Sequence, residues 1–308
     1  MIWASLLHLS FNMWEEQEAP VPRGKSGQII RMRRARPELR FDDGLWSELL
    51  GRMSEAGMNM VVLDLGDGVR YESHPEIAVK GAWSPARLRR ELARMRGMGL
   101  EPIPKLNFST THDAWLGPYS RCVSTDAYYA VCRDLIAEVC ALFDRPRLFH
   151  LGMDEETAGH QRHMLYAVMR QHDLWWHDLL FLAAEAEKGG ARPWIWSDYL
   201  WHHPEEFRRR MPKSIVQSNW YYGVKFSPKI EYVKAYLDLE AHGYDQIPTG
   251  SNWGEPENFE RTAAYCRRRI APKRLMGFLQ APWYPTLRQY RRRHLAAVDQ
   301  VAAAIRAW

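Results

Sequence analysis

The chain has 308 residues, of which 46% are hydrophobic and 26% are charged, and its formal net charge is +5. This composition is ordinary for a globular protein and excludes a disordered or fibrous chain. No run approaches the roughly 18 consecutive apolar residues of a membrane-spanning helix, so no membrane partner is expected. The positive charge comes from arginine clusters without interleaved aromatic residues. This pattern predicts solvated helix faces and not a nucleic-acid surface.

The first residues, Met1 to Leu9, have no basic leader and no small-residue cleavage site, so they predict a first strand and not a signal peptide. We therefore expect a cytoplasmic protein, or a secreted one if a leader has been removed. The four cysteines show no CxxC pair and no zinc spacing. We expect no metal and no cofactor, and the sequence gives no oligomeric state.

Strand-like and helix-like segments alternate along the chain. After the first strand, a long polar and basic loop is predicted at about 10–41, and loops of this length are usually functional or mobile. Further strands are predicted at 58–65, 101–108, 148–154, 193–196, 214–220, 246–252 and 275–280. Helices are predicted at 43–56, 84–98, 124–143, 159–171, 173–188, 204–210, 228–242, 256–269 and 286–308.

The alternation amounts to eight strand-then-helix units, with no Ser/Gly linker and no break in composition. This pattern predicts an α/β fold, a single (β/α)8 barrel over residues 1–308. An open doubly wound sheet is the alternative. Its dinucleotide-binding version is disfavoured because no GxGxxG follows any strand.

The active site of such a barrel lies at the carboxyl ends of its strands. Carboxylates, amides and aromatic rings dominate the residues at these ends. The candidates are Asp64, Asn107, His112, Asp113, Asp154, Glu155, Trp196, Asp198, Trp220, Tyr221, Tyr222, Trp253 and Trp283. Carboxylates and amides bond hydroxyl groups, and rings stack on the C–H faces of sugars. The set predicts a carbohydrate partner.

One segment adds a specific resemblance. His150-Leu151-Gly152-Met153-Asp154-Glu155 resembles the H-x-G-x-D-E signature at the end of the fourth strand in glycoside hydrolase family 20, the β-N-acetylhexosaminidases. Weaker similarity involves the strand segments 58–63, 102–105, 194–198 and 219–222. The resemblance spans roughly residues 58–285, but only the fourth-strand motif is specific.

The resemblance implies an exo-acting glycosidase with a substrate-assisted, retaining mechanism, in which the acetamido oxygen of the substrate attacks the anomeric carbon. Glu155 would then be the general acid and base, and Asp154 would orient the 2-acetamido group. Tyr221 or Tyr222 would bond the acetamido oxygen, and we place Tyr222 in the catalytic set. Trp196, Trp253 and Trp283 would form pocket walls.

Two features depart from the family pattern. Family members usually have an arginine at the end of the first strand, where this chain has Leu9-Ser10-Phe11-Asn12. The eighth strand usually supplies an acidic residue, where this chain has Gln280-Ala281-Pro282-Trp283. There is also a geometric requirement. Successive residues of a strand face opposite sides, so the chain must leave the strand at or before Asp154 for both carboxylates to face the pocket.

Two nearby residues are interpreted as structural. Glu156 is predicted to be a solvent-facing carboxylate at a helix N-terminus, and His150 a supporting residue and not a ligand.

Two other function classes stay open. One is a barrel that binds sugar without turning it over. The other is a metal-dependent hydrolase, although the first strand lacks an HxH pattern. Its candidate ligands are His112, Asp113, His150, Asp154, His160 and His163.

Overall fold

The computed structural model describes residues 1–14 and 23–308. Eight parallel strands form one sheet in the order β6-β5-β4-β3-β2-β1-β8-β7. The strands are β1 Ile2–His8, β2 Met60–Asp64, β3 Glu101–Lys105, β4 Leu148–His150, β5 Arg192–Trp196, β6 Val216–Ser218, β7 Thr249–Gly250 and β8 Gly277–Gln280. Backbone hydrogen bonds from Ile247 to Gln217 (2.9 Å) and from Thr249 to Asn219 (2.9 Å) join β7 to β6. The sheet therefore closes into the predicted (β/α)8 barrel.

The helices lie between and after the strands. They are α1 Lys25–Arg33, α2 Asp43–Glu55, α3 Pro85–Gly97, α4 Asp126–Leu142, α5 Asp173–Lys188, α6 Tyr199–His202, α7 Pro204–Arg210, α8 Glu231–Ala241, α9 Asn258–Arg269 and α10 Arg291–Arg306. Two helices begin at side-chain caps, because the backbone N–H groups of Leu45 and Arg87 donate to the side chains of Asp42 (2.6 Å) and Ser84 (3.2 Å). Among the described residues, no helix has the length and hydropathy needed to cross a membrane.

The barrel interior is apolar over most of its length and carries charged side chains near the carboxyl ends of the strands. Its lower layers are filled by alternate strand residues, among them Leu6, Val62 and Ile103. Near the carboxyl ends, Lys105 Nζ lies 2.6 Å from Asp64 Oδ2, and both side chains are buried. A buried charge is tolerated when it is paired. This pair supports the floor on which the site is built.

Two element predictions were wrong. Residues 15–22 of the loop predicted at 10–41 lie outside the described residues. Its described part contains α1, whose last turn carries Arg31 and Arg33, which suit the negative end of the helix dipole. The helix predicted at 159–171 is absent, since this segment consists of turns and irregular backbone. Its end is fixed instead by Arg170, which is buried and bonds to the carbonyl of Phe108 (2.7 Å) and to Asp178 (3.1 Å).

The seam between β1 and β8 gives a stability prediction. A Cβ on Gly277 would lie 2.2 Å from the carbonyl oxygen of Ile2, so we expect Gly277→Ala to destabilise the fold by about 3 kcal/mol. Gly51 in α2 has open space around it, so Gly51→Ala should stabilise the fold by about 0.5 kcal/mol or more. Urea unfolding of both variants checks this. Equal midpoints for the two variants would contradict the close approach.

Candidate active site

The fourth strand ends at His150, and an irregular turn follows it. Gly152, Met153 and Glu155 all have positive φ angles, of 76°, 72° and 59°. A Cβ on Gly152 would lie 2.0 Å from Asn107 Oδ1, so the close packing of these two residues requires glycine. The turn breaks the alternation of a strand, and side chains on successive residues can therefore face the same side.

Asp154 and Glu155 do face the same side. His112 Nε2 lies 3.3 Å from Asp154 Oδ2 and 3.3 Å from Glu155 Oε2. Asp154 also accepts a hydrogen bond of 3.0 Å from Asn107 Nδ2. The geometric requirement set by the sequence is met, because the chain leaves the strand before Asp154.

The charges of this group follow from its contacts. Burial lowers the pKa of His112, but the charges and hydrogen bonds of Asp154 and Glu155 together outweigh burial and raise the pKa to about 9. Burial alone would raise the pKa of Asp154, but His112, Lys105 and Asn107 together bring it down to about 2. At neutral pH Asp154 is therefore a carboxylate and His112 is a cation.

Asp198 supports the turn from the next strand. Its Oδ2 accepts a hydrogen bond of 2.8 Å from the backbone N–H of Glu155. Burial, together with the negative charge of Asp154, raises the pKa of Asp198 well above its usual value. Both effects favour the neutral form of Asp198, which accepts the backbone hydrogen bond of Glu155 without adding a further negative charge.

Aromatic rings enclose the two carboxylates in a cavity of about 140 Å³. Trp220 and Tyr222 are stacked, with ring centroids 5.1 Å apart. Trp283 Nε1 donates a hydrogen bond of 2.9 Å to the hydroxyl oxygen of Tyr222, and Trp253 forms a further wall. Stacked rings beside carboxylates are a surface suited to a sugar ring.

The structure brings together only part of the set suggested by the sequence. Seven of its members line the cavity, namely His112, Asp154, Glu155, Trp220, Tyr222, Trp253 and Trp283. Asn107 and Asp198 lie behind the carboxylates and position them. Trp196 is buried beneath the cavity, with its ring centroid 5.8 Å from that of Trp283.

Three members of the set lie elsewhere. Asp64 is paired with Lys105 inside the barrel. Asp113 accepts a 2.9 Å hydrogen bond from the backbone N–H of Arg121, within the loop after β3. The ring of Tyr221 packs against Phe226, with centroids 5.3 Å apart. These residues do not line the cavity because their side chains are used in the core or in loop packing.

Three lining residues were missed by the sequence reasoning, namely Trp14, Met32 and Arg33. The guanidinium of Arg33 lies 4.5 Å from the centroid of the Trp14 ring. Their signal was the length of the loop after β1, because long loops are usually functional. The arginine cluster in it was instead interpreted as a solvated face.

Glu156 is not the solvent-facing carboxylate that the sequence predicts. Its side chain is 6% exposed and paired with the buried Arg170, and it accepts a 3.0 Å hydrogen bond from the backbone N–H of Thr110. Glu156 therefore anchors the loop after β4. His150 is a supporting residue as expected, since its Nδ1 accepts a 3.1 Å hydrogen bond from the backbone N–H of Gly152.

The metal-ligand candidates are only partly brought together. His112, Asp154 and Glu155 offer ligand atoms within 4.8 Å of one another. His160 Nε2 lies 3.3 Å from Glu155 Oε1. Asp113 faces Arg121. The three clustered residues also fit a site in which the imidazolium proton of His112 occupies the space between the carboxylates.

Comparison with known proteins shows what this architecture is similar to. No family model matches the sequence, and no curated protein matches it. Among solved structures, a β-N-acetylhexosaminidase from Bacteroides fragilis superposes with a TM-score of 0.65 at 15% identity, covering 97% of this chain and 65% of that one. A family 20 exo-β-N-acetylglucosaminidase from Vibrio harveyi, in complex with N-acetylglucosamine, gives 0.64 at 15% identity, covering 98% and 54%.

Dispersin B gives a TM-score of 0.59 at 15% identity, covering 97% of this chain and 98% of that chain. This chain therefore spans less than two thirds of the first two enzymes and nearly all of the third. The resemblance to family 20 barrels extends over almost the whole chain. At these identities it shows a shared fold.

The contacts of His112 predict how stability depends on pH. Its pKa in the folded chain is about 9, above the ordinary 6.5. The protonated His112 therefore stabilises the folded chain fully below pH 6.5, and this stabilisation is lost as pH rises through about 9. We expect this loss to be on the order of 3 kcal/mol. Urea midpoints measured from pH 6 to pH 10 should fall for the native chain and stay flatter for His112→Gln. Parallel pH profiles for the two proteins would contradict an imidazolium at this position.

Proposed function

We propose that this protein is a divergent glycoside hydrolase of family 20, an exo-acting β-N-acetylhexosaminidase that uses substrate-assisted catalysis. The observation that carries the proposal is the convergence of Asp154 and Glu155 on one side of a ring-lined cavity. Consecutive carboxylates converge in this way only because of the turn at Gly152. The fold shared with family 20 enzymes supports the assignment.

Asp154 orients the acetamido group in this proposal. As a carboxylate it accepts a hydrogen bond from the acetamido N–H, since its pKa of about 2 keeps it ionised at neutral pH. Asn107 and His112 hold its two oxygens in place. Orientation by a fixed carboxylate keeps the acetamido oxygen directed at the anomeric carbon.

Tyr222 stabilises the same group from the other side. Its oxygen accepts a hydrogen bond from Trp283, so its own proton is available to the acetamido oxygen. Burial raises the pKa of Tyr222 well above 10, which keeps the phenol protonated. This donor fixes the acetamido oxygen beside the anomeric carbon, while the negative charge of Asp154 compensates the positive charge that develops on the oxazolinium ring.

Glu155 transfers the proton. It donates a proton to the glycosidic oxygen while the acetamido oxygen bonds to the anomeric carbon and the leaving group departs as an alcohol. It then takes a proton from the water that opens the oxazolinium ring, which restores the acid. Glu155 is half-buried at the cavity, and its backbone is fixed by Asp198.

A metal-dependent hydrolase is the second candidate, because His112, Asp154 and Glu155 are spaced as ligands. The two candidates differ in what they need for activity. Metal analysis of the purified protein, together with assays after chelation, separates them. Stoichiometric zinc or manganese, with activity lost on chelation, would favour the metal-dependent reaction.

Substitutions of the two carboxylates test the main proposal. Glu155→Gln should lower kcat on 4-nitrophenyl N-acetyl-β-glucosaminide by about 10² to 10⁴, because the proton donor is lost. Asp154→Asn should lower kcat for that substrate by about 10², because the acetamido group is no longer held by a charge. Initial rates of nitrophenol release measure both effects.

Glu255 provides the control, since it is an exposed carboxylate two residues after Trp253. Glu255→Gln should retain full activity. Cleavage restricted to glycosides without the 2-acetamido group would exclude substrate assistance but keep a glycosidase. If the unmodified protein binds sugars and cleaves none of these glycosides, the sugar-binding alternative is favoured.

A further inference from the structure

A larger cavity, of about 710 Å³, adjoins the carboxylate pocket and shares Met32 and Trp253 with it. We call it the basic cleft. Its walls come from α1, the segment after β7 and the segment after β8. Because β7, β8 and β1 are neighbours in the barrel, these segments meet at one side of the carboxyl face. The five charged residues among its described lining are all cations, and they are Lys25, Arg31, Arg36, Arg40 and Arg293.

The cations of the basic cleft differ from other surface arginines in their partners. Arg52, Arg87 and Arg147 each pair with a carboxylate. Within the described part of the chain, no such pair forms for Lys25, Arg31, Arg36 or Arg293. These four residues of the cleft therefore carry positive charge that no described acidic side chain neutralises in an ion pair.

Helix stability does not account for two of these cations, Lys25 and Arg293. Lys25 is the first residue of α1, and Arg293 lies in the first turn of α10. Cations are unfavourable at these positive helix ends. Arg291, in the same turn of α10, is compensated by Glu48, with its Nε 2.7 Å from Glu48 Oε2. Among the described residues, Arg293 has no such carboxylate, and it lies over the ring of Tyr284, 5.6 Å from its centroid.

Aromatic rings continue from the carboxylate pocket into the basic cleft. The centroids of Trp253 and Tyr284 are 5.1 Å apart, and those of Tyr284 and Tyr290 are 5.2 Å apart. Ordinary ligand sites have volumes of about 300–1,000 Å³, a range that the basic cleft reaches and the carboxylate pocket does not. A ligand with its reacting ring against the two carboxylates would therefore place its remaining part in the basic cleft.

We propose that the basic cleft binds an anionic part of the glycan, so that the substrate is an acidic oligosaccharide carrying carboxylate or sulfate groups. This inference rests on the proposed function for the position of the reacting sugar. Arginine side chains match the planar geometry of both anions. The rings of Trp253, Tyr284 and Tyr290 pack against the sugar faces between the charged groups.

Binding to the full chain carrying Glu155→Gln tests the proposal without turnover. Three trisaccharides serve as probes: neutral N-acetylchitotriose, its O-sulfated form, and N-acetylglucosamine–glucuronate–N-acetylglucosamine. Titration calorimetry at low ionic strength should give a Kd about tenfold lower for at least one anionic trisaccharide than for the neutral one. The preference should disappear at about 0.5 M salt, where exposed charges are screened. The two anionic arms distinguish sulfate from carboxylate.

Matched variants assign the effect to the cleft. The double substitution Arg36→Gln with Arg293→Gln should raise the Kd of the anionic trisaccharide about tenfold, which removes the preference. The Kd of N-acetylchitotriose should stay unchanged. Arg209→Gln with Arg292→Gln changes the net charge equally at exposed residues outside the cleft, and should keep the preference. Equal Kd values for neutral and anionic trisaccharides would overturn the proposal. So would a preference that survives in the Arg36/Arg293 variant, or tighter binding of an oligonucleotide of similar charge.

The proposed function can fail separately. Turnover of 4-nitrophenyl N-acetyl-β-glucosaminide by the unmodified protein, without an anionic preference in binding, would overturn the acidic-glycan inference alone. Arginine-dependent binding of an anionic trisaccharide without any glycoside cleavage would overturn the hydrolase proposal and support the binding site.

Discussion

The site depends on one proton-bearing nitrogen shared by two adjacent carboxylates. His112 Nε2 lies 3.3 Å from an oxygen of Asp154 and 3.3 Å from an oxygen of Glu155. Asp154 is buried, and a buried carboxylate without a compensating charge costs several kcal/mol. The imidazolium provides that compensation. The turn after β4 places both carboxylates on one side of the chain. It depends on Gly152, which packs closely against Asn107.

Three neighbouring strands carry this group. The segment after β3 provides Asn107 and His112, the turn after β4 provides the carboxylates, and the residue Asp198 follows β5. Each contact between them joins side chains or backbone groups that are buried or nearly so. A catalytic geometry held by several rigid elements loses little entropy when substrate binds. The barrel therefore acts as the support that keeps both carboxylates aimed at one point.

The sequence was sufficient for the barrel, because alternating strand and helix patterns report local burial. It also predicted that Asp154 and Glu155 follow the fourth strand and face one pocket, as they do, and their catalytic roles stay predictions. It failed where distant contacts decide the backbone. Arg170 is held between Glu156 and Asp178, and these long-range ion pairs leave residues 159–171 irregular despite a helix-like pattern. No local pattern indicates such a partner.

The upper face of the barrel separates opposite charges. At neutral pH the carboxylate of Asp154 repels anions, while the cations of the basic cleft attract them. An acidic glycan would gain most when its charged groups lie in the cleft and a neutral sugar lies against Asp154 and Glu155. The same separation would orient the ligand during approach, because a field of several cations acts over about a Debye length. Charge would thus select which end of the glycan reaches Glu155, while the rings of Trp253 and Trp283 select its position.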